Sequence, residues 1–122
     1  MTLSERLTQM VTKLDNDLER KSNKTREVLR DFDFSRIPQS YFKLDDCTER
    51  SSTVWIYRDG WALIMREVYD QLGINYSNGG IVHNISPQLM ARLREDGVIC
   101  DYIESVEPAH EEFRVCLYVK NN

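Results

Sequence analysis

An apolar stripe at helical spacing in the first 32 residues constrains the fold of this chain more than any other feature. Its members recur every three or four residues, as they do on one face of an α-helix. They are Leu3, Leu7, Met10, Val11, Leu14 and Leu18, and the pattern resumes at Val28, Leu29 and Phe32 after a polar stretch. Thr2 and Glu5 have the spacing of a capping box, which predicts a helix that starts there. A helix with so extensive an apolar face needs a surface to lie against.

Arranged as heptads, the stripe forms a seam that is apolar for two heptads and polar afterwards. One seam position holds Val11, Leu18, Thr25 and Phe32, and the other holds Leu7, Leu14, Lys21 and Val28. We therefore predict a helical arm that docks on a partner chain or on its own domain. For self-association, as a homodimer or a higher oligomer, the candidate residues are Leu7, Val11, Leu14 and Leu18. Ser22 and Asn23 leave open whether a second short helix begins inside the arm.

Length and composition indicate an ordinary folded domain. The chain has 122 residues, of which 41% are hydrophobic and 30% are charged, enough for one core without disulfides or metals. It has no apolar run of roughly 20 residues that would cross a membrane, and its amino terminus does not resemble a secretion signal. The three cysteines, Cys47, Cys100 and Cys116, lack metal-ligand spacing and favour free thiols in a reducing compartment. We expect a cytoplasmic protein.

Charge is distributed unevenly along the chain. Residues 1–30 carry seven Lys/Arg and five Asp/Glu, a net charge of +2, whereas the remaining residues carry nine and fifteen, a net charge of -6. An acidic body repels phosphate backbones, so nucleic acid is not the expected partner. The basic run over residues 20–30 instead favours contact with the acidic body of a neighbouring copy.

The order of the remaining elements predicts an α+β protein that ends in an antiparallel hairpin. The long amphipathic helix occupies residues 1–32, a linker residues 33–40, and a small mixed domain residues 41–122, with about five short strands and two helices. We predict strands over residues 41–44 and 53–57, a hairpin around Asn78-Gly79, and final strands over residues 98–105 and 113–120.

Two helices are predicted between these strands. Residues 61–72 have apolar side chains at helical spacing, with Asp59 as a candidate cap and Gly73 at the end, although residues 61–65 alone also fit a return strand. Ser86 followed by proline starts the next helix, which Gly97 ends.

The final hairpin has one core face and one mixed face by strand alternation. We assign Phe113, Val115, Leu117 and Val119 to the core face, together with Ile99 and Ile103. The second face is assigned Cys100, Tyr102, Cys116 and Tyr118. The sequence leaves open whether this face is covered by the arm, by a partner or by nothing.

No catalytic template fits this sequence. The two histidines, His83 and His110, stand outside any metal-ligand spacing, and the glycines form no phosphate-binding motif. Cys47 follows two aspartates, which disfavour its thiolate. Cys100 and Cys116 have local neighbours of opposite effect, Asp101 and Arg114, and are better explained as ordinary buried or half-buried side chains. We therefore predict no catalytic residues, no metal, no cofactor and no enzyme activity.

Two groups of residues are candidates for binding. A set of aromatic and arginine residues has the composition of interface anchors: Trp55, Tyr57, Arg58, Trp61, Tyr102, Arg114 and Tyr118. A polar loop is rich in amide, hydroxyl and imidazole groups that suit a small, nucleotide-like anion: Asn75, Tyr76, Asn78, His83 and Asn84.

Residues 86–119 have the outline of a capped helix followed by two strands, which resembles the end of a winged-helix domain. The resemblance implies that Gln88, Arg92 and Arg94 face the major groove of DNA. Acidic neighbours at residues 95–96 argue against that function. Our leading hypothesis is a non-catalytic, regulatory binding protein that self-associates through its amino-terminal helix and binds another macromolecule, most simply a protein. The alternatives are a small-anion binder and a winged-helix protein.

Overall fold

A computed structural model of the protein describes residues 1–45, 51–76, 86–104 and 113–120. Its first element is α1, a single helix of 29 residues over Leu3–Asp31. The Thr2 side chain accepts a hydrogen bond from the backbone N–H of Glu5 at 3.2 Å, which confirms the predicted start. The helix runs through Ser22 and Asn23 without interruption, so the arm is one helix and not two.

The segment between α1 and the sheet is packed in short turns. Two 3₁₀ turns, Phe34–Arg36 and Gln39–Tyr41, flank Ile37, which is buried in the core. Phe32 and Phe34 contact each other edge to face, with ring centroids 5.5 Å apart. These contacts hold the end of α1 close to the first strand.

The two predicted strands that follow are confirmed as β1, Phe42–Asp45, and β2, Ser51–Tyr57. The next element is the helix α2, Arg58–Leu72, so residues 61–65 are helical and not a return strand. It begins directly after Tyr57, and Asp59 lies in its first turn instead of capping it. A Cβ at Gly60 would lie 2.8 Å from the carbonyl oxygen of Tyr41, and this close approach explains the glycine.

Gly73 ends α2 in the left-handed conformation, with φ of 69°, as predicted. Residues 74–76 form no strand, and the rest of the predicted Asn78-Gly79 hairpin lies outside the described residues. The helix α3, Pro87–Glu95, starts with a hydrogen bond from the backbone of Leu89 to the side chain of Ser86, and a glycine with positive φ follows it, also as predicted.

The chain closes with β3, Ile99–Glu104, and β4, Phe113–Lys120. The four strands form one antiparallel sheet in the order β1-β2-β4-β3. The sheet register places Val54, Ile56, Val115 and Leu117 on one face, where all four are buried.

A bulge in β3 corrects the predicted faces of that strand. Ile99 pairs with Leu117, but Asp101 and not Cys100 pairs with Cys116, so one extra residue enters the strand. Tyr102 then pairs with Val115 and lies on the core side, whereas Ile103 pairs with Arg114 on the other face. The expected assignment of these two side chains was wrong, because a simple alternation cannot count an inserted residue.

The core lies between one face of the sheet and the helices. Its largest fully buried side chains come from β2, α2, α3, β3 and β4: Trp61, Ile56, Ile64, Met65, Leu89, Met90, Leu93, Ile99, Val68 and Val115. Helix α2 lies on β2 and β4, α3 lies on β3, and α1 lies on α2 and α3. The fold is therefore α+β, with a long amino-terminal helix and a small mixed domain. No helix within the four described ranges combines the length and apolar character of a membrane span.

Candidate functional site

The carboxyl-terminal half of α1, residues 18–31, is packed against the rest of the protein, and we call it the docked half. Ser22, Thr25 and Val28 are buried at intervals of three residues, and Leu18 and Leu29 pack against the core at its edge. The small side chains of Ser22 and Thr25 allow a neighbouring helix to approach closely. Thr25 satisfies its hydroxyl by donating to the carbonyl of Lys21 at 2.7 Å.

A polar contact joins the docked half to the end of α3. Asp96 accepts a hydrogen bond from the Ser22 hydroxyl at 3.2 Å and pairs with the guanidinium of Arg26. Arg92 lies 3.3 Å from the same carboxylate oxygen. Burial raises the pKa of Asp96, but Arg26, Ser22 and Arg92 outweigh it and hold that pKa below its ordinary value. This network joins α1 to the end of α3.

The amino-terminal half of α1, residues 3–17, projects beyond the body, and we call it the bare half. Five members of its apolar stripe are more than half exposed: Leu3 at 73%, Leu7 at 53%, Met10 at 61%, Val11 at 57% and Leu14 at 66%. A contiguous row of large apolar side chains in water is unusual for a monomer and marks an interaction surface.

The bare stripe and the buried face of the docked half lie on the same side of α1. At about 100° per residue, Leu7 and Thr25 point in the same direction, as do Leu14 and Phe32. The seam predicted from heptads therefore continues along the whole helix. The body covers it from Leu18 onward, and no described residue covers it before that point.

A groove of about 400 Å³ lies where the bare stripe meets the body. Val11, Leu14 and Leu18 of α1 form one wall, and Ser86, Gln88 and Leu89 at the start of α3 form the other. The stripe thus ends in a partly apolar pocket and not against a flat wall.

The ion pairs described for α1 lie in its docked half. In the docked half, Arg26 pairs with Asp96, and Lys24 pairs with Glu27 at 2.7 Å. In the bare half, no ion pair within the described ranges involves Arg6 or Asp17. Both the apolar and the charged groups of the bare half are available to a partner.

The sheet face opposite the core carries no helix among the described residues. Its described side chains are Lys43, Asp45, Thr53, Trp55, Tyr57, Arg114, Tyr118 and the buried Cys116, with Cys100, Asp101 and Ile103 along β3. The Arg114 guanidinium lies 5.3 Å from the centre of the Trp55 ring, and Tyr118 is 55% exposed. The face therefore combines aromatic surface with charges of both signs.

The predicted partner-binding residues divide between this open face and the interior. Trp55, Tyr57, Arg114 and Tyr118 share the open face. Trp61 is fully buried as the centre of the core and offers no surface to a partner. Arg58 begins α2 with its guanidinium 5.5 Å from the Phe113 ring, and Tyr102 lies on the core side of β3. Four of the seven residues thus form one surface.

Cys100 and Cys116 face each other across β3 and β4, with their sulfur atoms 3.4 Å apart as free thiols. The Cys100 thiol also donates to the carbonyl of Cys116 at 3.3 Å. Burial, the Cys100 thiol and two nearby aspartates raise the pKa of Cys116 to about 12. This thiol is a poor nucleophile at neutral pH. The contact between the two thiols is therefore better explained by side-chain packing than by a catalytic role.

The predicted ligand loop falls mostly outside the described residues, which include Asn75 and Tyr76 but not Asn78, His83 or Asn84. The Tyr76 hydroxyl donates to Asp70 at 2.7 Å, so this side chain is engaged with α2. Of the residues that the winged-helix resemblance places in a groove, Arg92 is engaged with Asp96. Within the described parts of the chain, no three His, Cys, Asp or Glu side chains are grouped to hold a metal ion.

Comparison with known proteins adds no relative. The chain matches no protein-family model, no curated protein and no solved structure. Function is therefore inferred from the geometry of α1 and of the open sheet face.

Proposed function

We propose that this chain is a small, non-catalytic regulatory protein of the cytoplasm that self-associates through the bare half of α1 and binds another protein. The observation that supports it is the apolar stripe, five of whose members are more than half exposed on a helix whose other half is packed. Full burial of a Leu, Val or Met side chain contributes roughly 1.5–3 kcal/mol. Covering the stripe is therefore a strong drive for association.

The open sheet face is the proposed surface for the second partner. Among the side chains described on this face, Lys43 and Arg114 are basic and Asp45 and Asp101 are acidic, so these side chains form no basic patch for a phosphate backbone. The face has an exposed aromatic, Tyr118, and a half-buried one, Trp55, beside Arg114, and such a composition is typical of protein interfaces. A protein is the partner whose chemistry fits this face.

The self-association is tested by light scattering on the full chain and on a variant with Leu7→Asp and Leu14→Asp. Both side chains are exposed, so the variant should fold with the helix content of the native chain. We expect the native particle to have a multiple of the 14.4 kDa chain mass and the variant to have the mass of one chain.

The matched control carries Gln9→Asp and Asn16→Asp. These residues are exposed on the opposite side of the same helix, so two charges are added without touching the stripe. The control should keep the native mass. A native chain that stays monomeric at the highest attainable concentration would remove the proposal.

The second partner is tested by affinity capture with the native chain and a Tyr118→Glu variant, followed by identification of the captured proteins. Tyr118 is exposed on the open face and far from the stripe in the fold. A protein captured by the native chain should be lost, or at least tenfold depleted, with the variant. Equal capture by both chains would exclude this face as the binding surface.

A further inference from the structure

We propose that the second copy lies antiparallel along the bare stripe, with the tip of each arm in the groove at the base of the other. This inference rests on the proposed self-association and adds the orientation and register of the two helices. It follows from where the body sits on α1.

The position of the body excludes a parallel pair. The body covers the same side of α1 that is bare further toward the amino terminus. A parallel second helix on the stripe would continue past Leu18 into the volume that α2 and α3 already occupy. An antiparallel helix runs the other way, so each body lies beyond the tip of the other arm.

The seam also supplies a register for the antiparallel pair. In antiparallel coiled coils, residues at one seam position face residues at the other seam position of the second helix. Val11 then faces Leu14 of the second copy, and Leu7 faces Leu18. Twofold symmetry repeats both contacts, which gives an isologous interface of four layers from two kinds of contact.

The groove continues this register beyond the last layer. With Leu7 opposite Leu18, the first turn of the second arm, including Leu3, reaches the space between Leu18 and Leu89. The groove there has a volume of about 400 Å³ and is lined by Leu18, Ser86 and Leu89 among others. The tip of the second arm is therefore the occupant that completes the covered seam.

Charge favours the same orientation. On the side of the stripe that carries Arg6, the antiparallel register places Asp17 of one copy about 3 Å along the axis from Arg6 of the other. A parallel pair would instead bring Asp17 close to Asp15 of the second copy. Neither Arg6 nor Asp17 has an ion pair within the described part of its own chain.

A charge-reversal cycle tests the pairing on the full chain. Arg6→Glu and Asp17→Arg should each weaken the dimer roughly three- to tenfold, since each puts like charges together twice. The double variant should return to within about twofold of the native dissociation constant. Arg6 and Asp17 are about 16 Å apart along one helix, so this rescue requires contact between copies. Additive weakening in the double variant would contradict the register.

A distance measurement tests the orientation independently. A spin label is attached at Ser4→Cys after Cys47 and Cys100 are replaced by serine, with the melting temperature checked against that of the native chain. The antiparallel pair predicts about 25 Å between the two labels along the axis, because Ser4 lies opposite residue 21. A parallel pair would give roughly 10 Å.

The outcomes separate this inference from the proposal on which it stands. A dimer with labels roughly 10 Å apart keeps the self-association and overturns the antiparallel orientation. A dimer that shows no charge rescue, and neither the roughly 10 Å nor the about 25 Å label distance, means that the stripe docks elsewhere on the second copy. That result also overturns the orientation and the register. A monomer in all samples overturns both.

Discussion

The two halves of α1 have the same apolar pattern and opposite environments. Val28 in the docked half is 4% exposed and belongs to the core, whereas Val11 in the bare half is 57% exposed. One charged side chain of the docked half, Arg26, also pairs with the body at Asp96. An amphipathic helix thus shows which side will be covered, and only the fold shows which part of that side the chain covers by itself.

The largest expected effect compares the same substitution in the two halves. Val28→Asp puts an unpaired carboxylate into the core and should lower the free energy of unfolding by about 3 kcal/mol or more. Val11→Asp should change the stability of the monomer by no more than about 0.5 kcal/mol. Denaturant unfolding, carried out at a concentration low enough to dissociate the oligomer, measures both.

The order of the two variants, Val28→Asp and Val11→Asp, reverses when the loss of association is measured instead of the loss of stability. Val11→Asp should dissociate the oligomer, whereas Val28→Asp protein that remains folded keeps the bare stripe intact. Equal losses of stability in the two variants would mean that residues 3–17 pack on their own body, and the comparison between the halves would fail.

A smaller effect concerns the pH dependence of the docked half. Burial opposes ionisation of Asp96, but its partners hold its pKa below the ordinary value of 3.8. A carboxyl group whose pKa is lowered by folding stabilises the fold above its unfolded pKa, and this contribution is lost as pH falls through the folded pKa. The native chain should therefore lose stability below about pH 4.

Replacing Asp96 by asparagine removes the ionisable carboxyl group and with it this contribution to the pH dependence of stability. The variant should be less stable than the native chain at pH 7, and the difference should shrink as pH falls toward 3. Unfolding curves at a series of pH values measure it. A difference that does not change with pH would show that the Asp96 contact with Ser22 and Arg26 contributes nothing through its charge.

Much of the fold was predictable because local signals agreed with tertiary packing. Ser86 before proline and the two glycines after α2 and α3 set helix ends through backbone geometry, which depends on few neighbours. The alternation in β4 predicted its buried face because that strand lies in the middle of the sheet. In each case the residue type alone restricts the backbone or the face.

The docking of α1 was not predictable from hydrophobicity. Ser22 and Thr25 are polar and interrupt the apolar seam in the sequence, yet they are among the most buried residues. Their small size matters, because it lets helices approach where a leucine would hold them apart. The bulge at Cys100 was not predicted, for a different reason. An inserted residue changes the face of every later side chain in the strand without any change in composition.

The candidate site was predicted only in part. The apolar stripe and the aromatic residues of the open face were both visible in the sequence. The sequence does not separate exposed from buried apolar residues, because the two are alike in composition. Trp61 was grouped with Trp55 on that basis, although Trp61 fills the core and Trp55 lies half-buried on the open face. Strand and helix boundaries separate the two, and these come only from the fold.

Hydrogen exchange of the α1 amides is the most direct test of whether a second copy covers the bare half. The protein would be compared at a low and a high concentration, with residues 18–31 as the internal reference. We predict that residues 3–17 exchange rapidly when dilute and become protected as concentration rises, while the docked half stays protected throughout. Rapid exchange of residues 3–17 at every concentration would contradict the account.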